Sequence, residues 1–147
     1  MTVELTRQLR GDEDTRPQVY KDSLGFFTIG TGRLVDERMP GSGLRQSEMD
    51  FMLANDIAER KASLTQRLPW FYLVDPVRQG ALLNMSFQLG VDGLLGFKNT
   101  LELVRKGQFS DAADNMLLSK WATQTPNRAK RIAKQMKTGV WQYAVGA

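Results

Sequence analysis

"VYKDSLGFFTIGTGRLV", residues 19–35, decides the fold. "VYK", "FFTIG" and "RLV" are short runs rich in aromatic and β-branched residues, each long enough for a strand. "DSLG" offers a turn between the first two, and "TG" a tighter one between the second and third. The stretch therefore predicts a three-stranded β-meander. A sheet of about 20 residues is too small to stand alone and needs helices packed on it. Within it sit one carboxylate, Asp22, and one hydroxyl, Thr28, followed by Gly30 and Gly32. The hairpin is either plain scaffold or one wall of an active site.

Outward from the meander the pattern turns helical. Val3, Leu5 and Leu9 fit one short helix over residues 3–12, with Gly11 fraying its end. "DEDTRPQ" is polar and its Pro17 reads as a break. Residues 36–46, "DERMPGSGLRQ", form a loop by composition. Ser47 offers an N-cap with Asp50 three residues on. Met49, Leu53, Ile57 and Leu64 then recur at helical spacing, predicting one long helix over about 47–67, stopped by Pro69.

The second half is helical throughout. Asp75-Pro76 pairs a capping side chain with a first-turn proline and opens "PVRQGALLNMSFQLG", apolar nearly all round. "GVDGLLGF" reads as a Gly-rich bend. "KNTLELVRKG" is a helix ended by Gly107, "FSDAADNMLL" another, and Thr125-Pro126 opens a last one ended by Gly139. The class is α+β: one domain over 1–147 in two lobes. The β lobe covers about 14–46, the helical lobe 1–13 and 69–147, and the helix of about 47–67 connects them.

Composition narrows the chemistry. The chain has no Cys and no His. A disulfide framework, a thiolate metal site and a Cys nucleophile are excluded, and the commonest general base is missing. Acid–base work falls to Asp, Glu, Lys or Tyr, and neither a metal nor a cofactor is expected. No apolar run approaches membrane-span length, so stable membrane insertion is not expected. "MTVELTRQLRGDED" lacks a signal core. The net charge of +4 favours polyanionic partners such as nucleic acid, anionic lipid or an anionic wall polymer.

Glu13 closes the first helix and Asp22 follows the first strand. A helix end and a strand end can face each other across a groove. Two carboxylates so placed suit glycosidic hydrolysis: one, kept protonated, supplies the leaving oxygen with a proton, and the other activates water or stabilises the cationic centre. Thr28 could orient that water. The plainer alternative is a solvated acidic cluster beside ordinary turn chemistry. "IGTGR" lacks the spacing of a nucleotide-binding loop.

"LRGDED" and "VYKDSLGFFTIGTGRL" resemble the amino-terminal signature of the T-even phage lysozyme family, the soluble phage muramidases. That family's pattern is Glu, eight residues, Asp, five residues, Thr, and it falls on Glu13, Asp22 and Thr28. "ALLNMSFQLGVDGLLGFKNTLELV" resembles the family's central helix and following bend. "NMLLSKWATQTPNRAKRIAKQMKTGVW" resembles its carboxy-terminal region almost residue for residue. The likeness is weakest over residues 35–75, where this chain is shorter.

The resemblance implies a lysozyme-like fold and hydrolysis of the β-1,4 bond between N-acetylmuramic acid and N-acetylglucosamine in peptidoglycan. Glu13 would be the general acid, with Asp22 and Thr28 placing the attacking water. Arg128 matches the arginine that pairs with the catalytic Glu. Leu34, Phe87, Thr100 and Asn115 match substrate-contact positions, and Gln88, Lys120 and Gln124 are further cleft candidates. Trp121 and Trp141 read as core. The family pattern has His after the second glycine where this chain has Arg33, so an Arg33–Asp56 ion pair is expected in place of His–Asp. As an endolysin the protein would be a monomer held in the host bacterial cytoplasm. It would reach the periplasm at lysis, when a separate membrane-permeabilising protein opens the way.

Three rivals stand beside this reading, one of them a non-catalytic wall binder, against which the retention of Glu13, Asp22 and Thr28 together argues. A lytic transglycosylase would cut the same bond with one Glu and no second carboxylate, which leaves Asp22 and Thr28 unexplained. A nucleic-acid-binding domain would use the basic helix "NRAKRIAKQMK", but no base-stacking aromatic pattern accompanies it, and nucleic acid is not the expected partner.

Overall fold

The computed structural model describes residues 3–12 and 15–145. Two compact units divide the chain, residues 1–53 and 54–147. The class is α+β.

The first unit contains α1 (Val3–Asp12), β1 (Thr15–Lys21), β2 (Phe27–Thr31), β3 (Arg33–Leu34) and the opening turns of α2 (Gln46–Arg67). The strands form an antiparallel sheet in the order β1-β2-β3. Tyr20 pairs with Thr28 and Thr28 with Leu34, so these three side chains share one face. The first strand begins earlier than its sequence suggests. Pro17 lies inside β1, between the pairs Arg16–Gly30 and Tyr20–Thr28, where the register shifts. An edge strand with a bulge tolerates a residue that has no N–H to give the ladder.

The start of α2 also differs from expectation. Ser47 and Asp50 do not cap it; the helix opens at Gln46. The Glu48 carboxylate reaches back to accept the Arg45 N–H at 2.7 Å. That is the acidic half of a capping box, shifted two residues upstream of the one expected.

No apolar side chain of the first unit is fully buried among the described residues. Its buried side chains are Thr28 and Asp36, both polar. Asp36 is 0% exposed and accepts the N–H groups of Phe27 (3.2 Å) and Arg38 (3.0 Å) together with the Arg38 guanidinium. The small sheet is thus closed around a carboxylate. Its satisfied lone pairs make that burial tolerable.

The second unit is helical. It holds the rest of α2, a 3-10 turn at Phe71–Leu73, α3 (Pro76–Leu95), α4 (Lys98–Arg105), α5 (Phe109–Met116), α6 (Lys120–Gln124) and α7 (Pro126–Thr138). Leu64, Phe71, Leu82, Met85, Leu94, Met116 and Met136 are completely buried at its centre. Each such side chain stabilises by about 1.5–3 kcal/mol relative to exposure. Asp75 caps α3 as its sequence predicts, accepting the Arg78 N–H at 3.1 Å. Thr125 does not cap α7; its hydroxyl donates to the Trp121 carbonyl at 3.0 Å, and Pro126 alone marks the start. Gly139 ends α7 at φ 66, in the left-handed region. The expected bend after the central helix is one residue wide. Gly90, at φ 75 and ψ 164, breaks α3 without ending it. Only glycine adopts that conformation readily. Trp121 is core, 4% exposed, but Trp141 is 46% exposed and rests its ring edge on Gly80, where a Cβ would meet it at 2.4 Å.

Candidate active site

Glu13 lies outside the described residues. The other expected positions fall into two groups, one in each unit.

In the first unit, Asp22 occupies the turn between β1 and β2. Its Oδ1 accepts the N–H of Leu24 at 2.9 Å and of Phe26 at 2.8 Å. Its own N–H donates to the Phe26 carbonyl at 2.9 Å. One oxygen is therefore fully used in holding the turn. Among the described residues the other, Oδ2, accepts no hydrogen bond. The bonds that shape the turn also fix the carboxylate's orientation. Thr28 is 4% exposed, and its hydroxyl donates to the Phe26 carbonyl at 3.0 Å. With its proton committed, the hydroxyl can only accept from a further partner. Leu34 stands beside it across the β2–β3 ladder, half-buried.

Arg33 does not serve the expected ion pair. Its guanidinium binds the Glu48 carboxylate at 2.5 Å and the Gly43 carbonyl at 3.3 Å. Glu48 opens α2, whereas Asp56 lies eight residues further along it. The cap that turns Glu48 back toward Arg45 also presents it to Arg33. The Arg33 hydrogen bond, followed by the Arg45 N–H, holds the Glu48 carboxyl down to about 2. Asp36 is likewise held well below the usual carboxylate range, chiefly by the Arg38 guanidinium.

In the second unit, one stripe of α3 carries two of the remaining positions, Phe87 and Gln88, and binds a third, Arg128. Asn84, Phe87 and Gln88 are three and four residues apart and so share a face. Arg128 of α7 donates from Nε to Asn84 Oδ1 at 2.9 Å and from Nη2 to the Asn84 carbonyl at 3.2 Å. The Arg60 guanidinium of α2 lies 4.1 Å from the Phe87 ring centroid, a cation–π arrangement. Gln88 Oε1 accepts the Trp121 indole N–H at 2.8 Å. Trp121 meets Phe97 edge to face, with ring centroids 6.1 Å apart. Phe97 in turn lines a concavity of about 310 Å³ with Lys98, Thr100, Asn115 and Leu118. Thr100 donates to Asn115 Oδ1 at 2.7 Å inside it. Thr100 is 1% exposed, so its one hydroxyl proton is spent on Asn115 and the Asn115 amide nitrogen is the group left for a ligand. Lys120 and Gln124 stand exposed at the two ends of α6.

Sequence reasoning missed four of these side chains. Asn84 was visible only as a polar residue one turn before Phe87. Arg60 was one charge among many on a long helix. Asp36 sat in a loop, although Arg38 two residues on is the pairing that explains it. Glu48 was passed over because the helix start was placed at Ser47.

Comparison with known proteins gives the context for this arrangement. The family model described as phage lysozyme matches residues 10–139. A probable T4-type lysozyme 1 of Dictyostelium discoideum is 29% identical over 95% of this chain and 96% of its own length. The pre-baseplate central spike protein Gp5 of Enterobacteria phage T4 is 28% identical over 93% of this chain but 28% of its own. Peptidoglycan hydrolase gp36 of Pseudomonas phage phiKMV is 27% identical over 88% of this chain and 15% of its own. The family match spans both the hairpin that fixes Asp22 and Thr28 and the α3 stripe, and on that extent the chain belongs to the phage lysozyme family.

Proposed function

We propose that this lysozyme cleaves the β-1,4 bond between N-acetylmuramic acid and N-acetylglucosamine of peptidoglycan, with Glu13 as general acid and Asp22 and Thr28 placing the attacking water. Family membership supports the reaction class, and the peptidoglycan hydrolase among its relatives supports the substrate. The observation that carries the residue roles is the hairpin. Asp22 Oδ1 is pinned by two N–H groups while Oδ2 is unengaged among the described residues, and the Thr28 hydroxyl can only accept. A water donating one proton to each would keep a lone pair for the anomeric carbon. As Asp22 takes up the water's proton, Glu13 gives its own to the leaving oxygen, the two-carboxylate division of labour of an inverting hydrolase.

Leu34, Phe87, Thr100 and Asn115 are the sugar-contacting positions of this reading, with Gln88 beside Phe87. Arg128, held by Asn84, is the cation assigned to Glu13. The biological role that fits is that of an endolysin: a monomer that accumulates in the host cytoplasm and meets the wall in the periplasm once a separate protein permeabilises the inner membrane.

The test is a turbidity assay on outer-membrane-stripped Gram-negative cells, with product analysis of the released glycans. Wild type should leave reducing ends rather than anhydro-muramic ends. Glu13→Gln should lose roughly 10²–10⁴-fold or more while remaining folded, and Asp22→Asn should be nearly inactive. Wild-type turnover in Glu13→Gln, or anhydro products, would remove the proposed mechanism.

A further inference from the structure

The peptide unit between Phe26 and Phe27 is bonded from both sides. A peptide is planar, so the Phe26 carbonyl and the Phe27 N–H point in opposite directions from one rigid plate. The carbonyl accepts the Asp22 N–H at 2.9 Å and the Thr28 hydroxyl at 3.0 Å. The N–H faces β3, but that strand stops at Leu34. The Phe27 carbonyl still finds the Val35 N–H at 2.9 Å. Were the ladder to run on, a backbone carbonyl would take the Phe27 N–H in return. The Asp36 carboxylate takes it instead, through Oδ2 at 3.2 Å.

Asp36 is anchored at both its ends. Its carbonyl accepts the Met39 N–H at 3.0 Å and the Ser42 hydroxyl at 2.5 Å. Its Oδ1 accepts the Arg38 N–H at 3.0 Å and Nε at 2.8 Å, and Oδ2 also accepts Arg38 Nη2. The Asp36 side chain is 0% exposed, while that of Arg38 is 64% exposed. A buried ion pair is weak evidence for stability, since apolar side chains of similar volume often serve as well. What a carboxylate does here, and an apolar side chain cannot, is accept an N–H beyond the end of a strand.

We propose that Asp36 is a positioning residue for the hydrolysis: by holding the Phe27 N–H it locks the Phe26–Phe27 peptide plane, and so keeps the Phe26 carbonyl on Thr28 and Asp22. The inference rests on the roles given to Asp22 and Thr28 above. Asp36 touches neither the sugar nor the attacking water and acts through one peptide unit. Without it the plane is free to rotate and the Phe26 carbonyl leaves the Thr28 hydroxyl. A hydroxyl released in this way can donate as well as accept. It then competes for the lone pair that the water must keep for the anomeric carbon.

The experiment is a mutant cycle read as kcat and KM on a soluble oligosaccharide of alternating N-acetylglucosamine and N-acetylmuramic acid. Wild type, Asp36→Ala, Thr28→Ala and the double variant are compared well below their unfolding temperatures. In Asp36→Ala, kcat should fall roughly 10–100-fold, the scale of a misplaced reacting group, with KM little changed. In the Thr28→Ala background no hydroxyl remains to be misdirected, so the further loss on Asp36→Ala should be several-fold smaller. Equal losses in both backgrounds would overturn the positioning role, because a loosened fold lowers both alike. Arg38→Ala separates stability from alignment. It removes the ion pair but leaves Asp36 anchored by Met39 and Ser42, so it should lower the unfolding temperature and keep most of kcat. A kcat loss in Arg38→Ala as large as in Asp36→Ala would also overturn the proposal. Should Asp36→Ala not fold, Asp36→Asn takes its place in the cycle. It keeps one oxygen for two sets of donors, and the same pattern should appear at smaller amplitude; additive losses overturn the proposal there too. Amide hydrogen exchange of the wild type gives a readout independent of turnover: the Phe27 N–H should be protected, and exchange at the rate of a free amide would remove the lock. Full activity in Thr28→Ala would strike the hairpin mechanism itself and the positioning role with it, whereas an additive cycle with Thr28→Ala impaired strikes the positioning role alone.

Discussion

The hairpin carboxylate shows how one residue can satisfy two readings. Asp22 is turn chemistry through Oδ1, while Oδ2, which accepts no hydrogen bond among the described residues, is the oxygen that the proposed water would use. The turn role was legible in the sequence, but the division of the two oxygens was not. The Arg33 partner was not legible. Spacing along α2 says which residues share a face, not which of two acids a distant guanidinium will choose, and the choice was made by the cap that turns Glu48 back onto Arg45. This predicts a pH signature. The Glu48 carboxyl titrates near 4.3 when unfolded and at about 2 when folded. A depressed folded value means that the pair's stabilisation is fully present above the unfolded value and is lost as pH falls through the folded one. Glu48→Gln should therefore be less stable than wild type at neutral pH, and the gap should close between about pH 4 and pH 2. Urea unfolding of the two proteins across that range measures it. A gap that persists unchanged at pH 2 would mean that packing, not charge, holds the β3–α2 junction.

Among the elements, those with a cap and a stop in their own sequence were legible: α3 from Asp75-Pro76, α7 up to Gly139, the meander from its turns. Those decided by tertiary context were not. Pro17 reads as a breaker but is tolerated on an edge strand with a shifted register. The five-residue α6 is too short to show a period, and Ser119 caps it by accepting the Ala122 N–H at 3.3 Å. The least legible feature joins three helices at once. Arg78, in the first turn of α3, donates to the Met136 carbonyl at 2.6 Å and the Lys137 carbonyl at 3.1 Å. It also pairs with Asp75 at 3.1 Å and covers the Phe109 ring at 3.9 Å. It thus satisfies carbonyls that α7 leaves unpaired at its end and ties them to the starts of α3 and α5. Arg78→Ala should cost about 1.5–3 kcal/mol, because charged hydrogen bonds are lost and the part-buried Met136 carbonyl is left open. Arg78→Lys should recover less than half, since an ammonium cannot span two carbonyls and a ring together. Denaturant unfolding gives the numbers, and a loss under about 0.5 kcal/mol, the range of an ordinary surface substitution, would show that the α7 end is held by its core face alone.

At the scale of the molecule, a net charge of +4 is a weak statement until its placement is known. Much of it lies on α7. Lys130, Lys134 and Lys137 recur at helical spacing along an exposed stripe that flanks the buried Ala129, Ile132, Ala133 and Met136. All three are exposed, and none has an acidic partner among the described residues. A stripe of this kind draws the enzyme toward a polyanion, and the wall is one. Such attraction is long-ranged and is screened beyond about 8–10 Å at physiological ionic strength. Lysis of stripped cells should therefore slow as salt rises, through the capture step. Cleavage of a small soluble oligosaccharide of alternating N-acetylglucosamine and N-acetylmuramic acid should change far less over the same range, because the catalytic groups act at contact distance. Replacing the three lysines with glutamine should flatten the salt profile on cells and leave the soluble reaction as it was. Initial rates against sodium chloride for both proteins on both substrates separate capture from chemistry. A salt profile on cells that is identical in the triple variant would place the electrostatic capture elsewhere on the surface, and a flat profile in the wild type would show that charge does not guide this enzyme to its substrate.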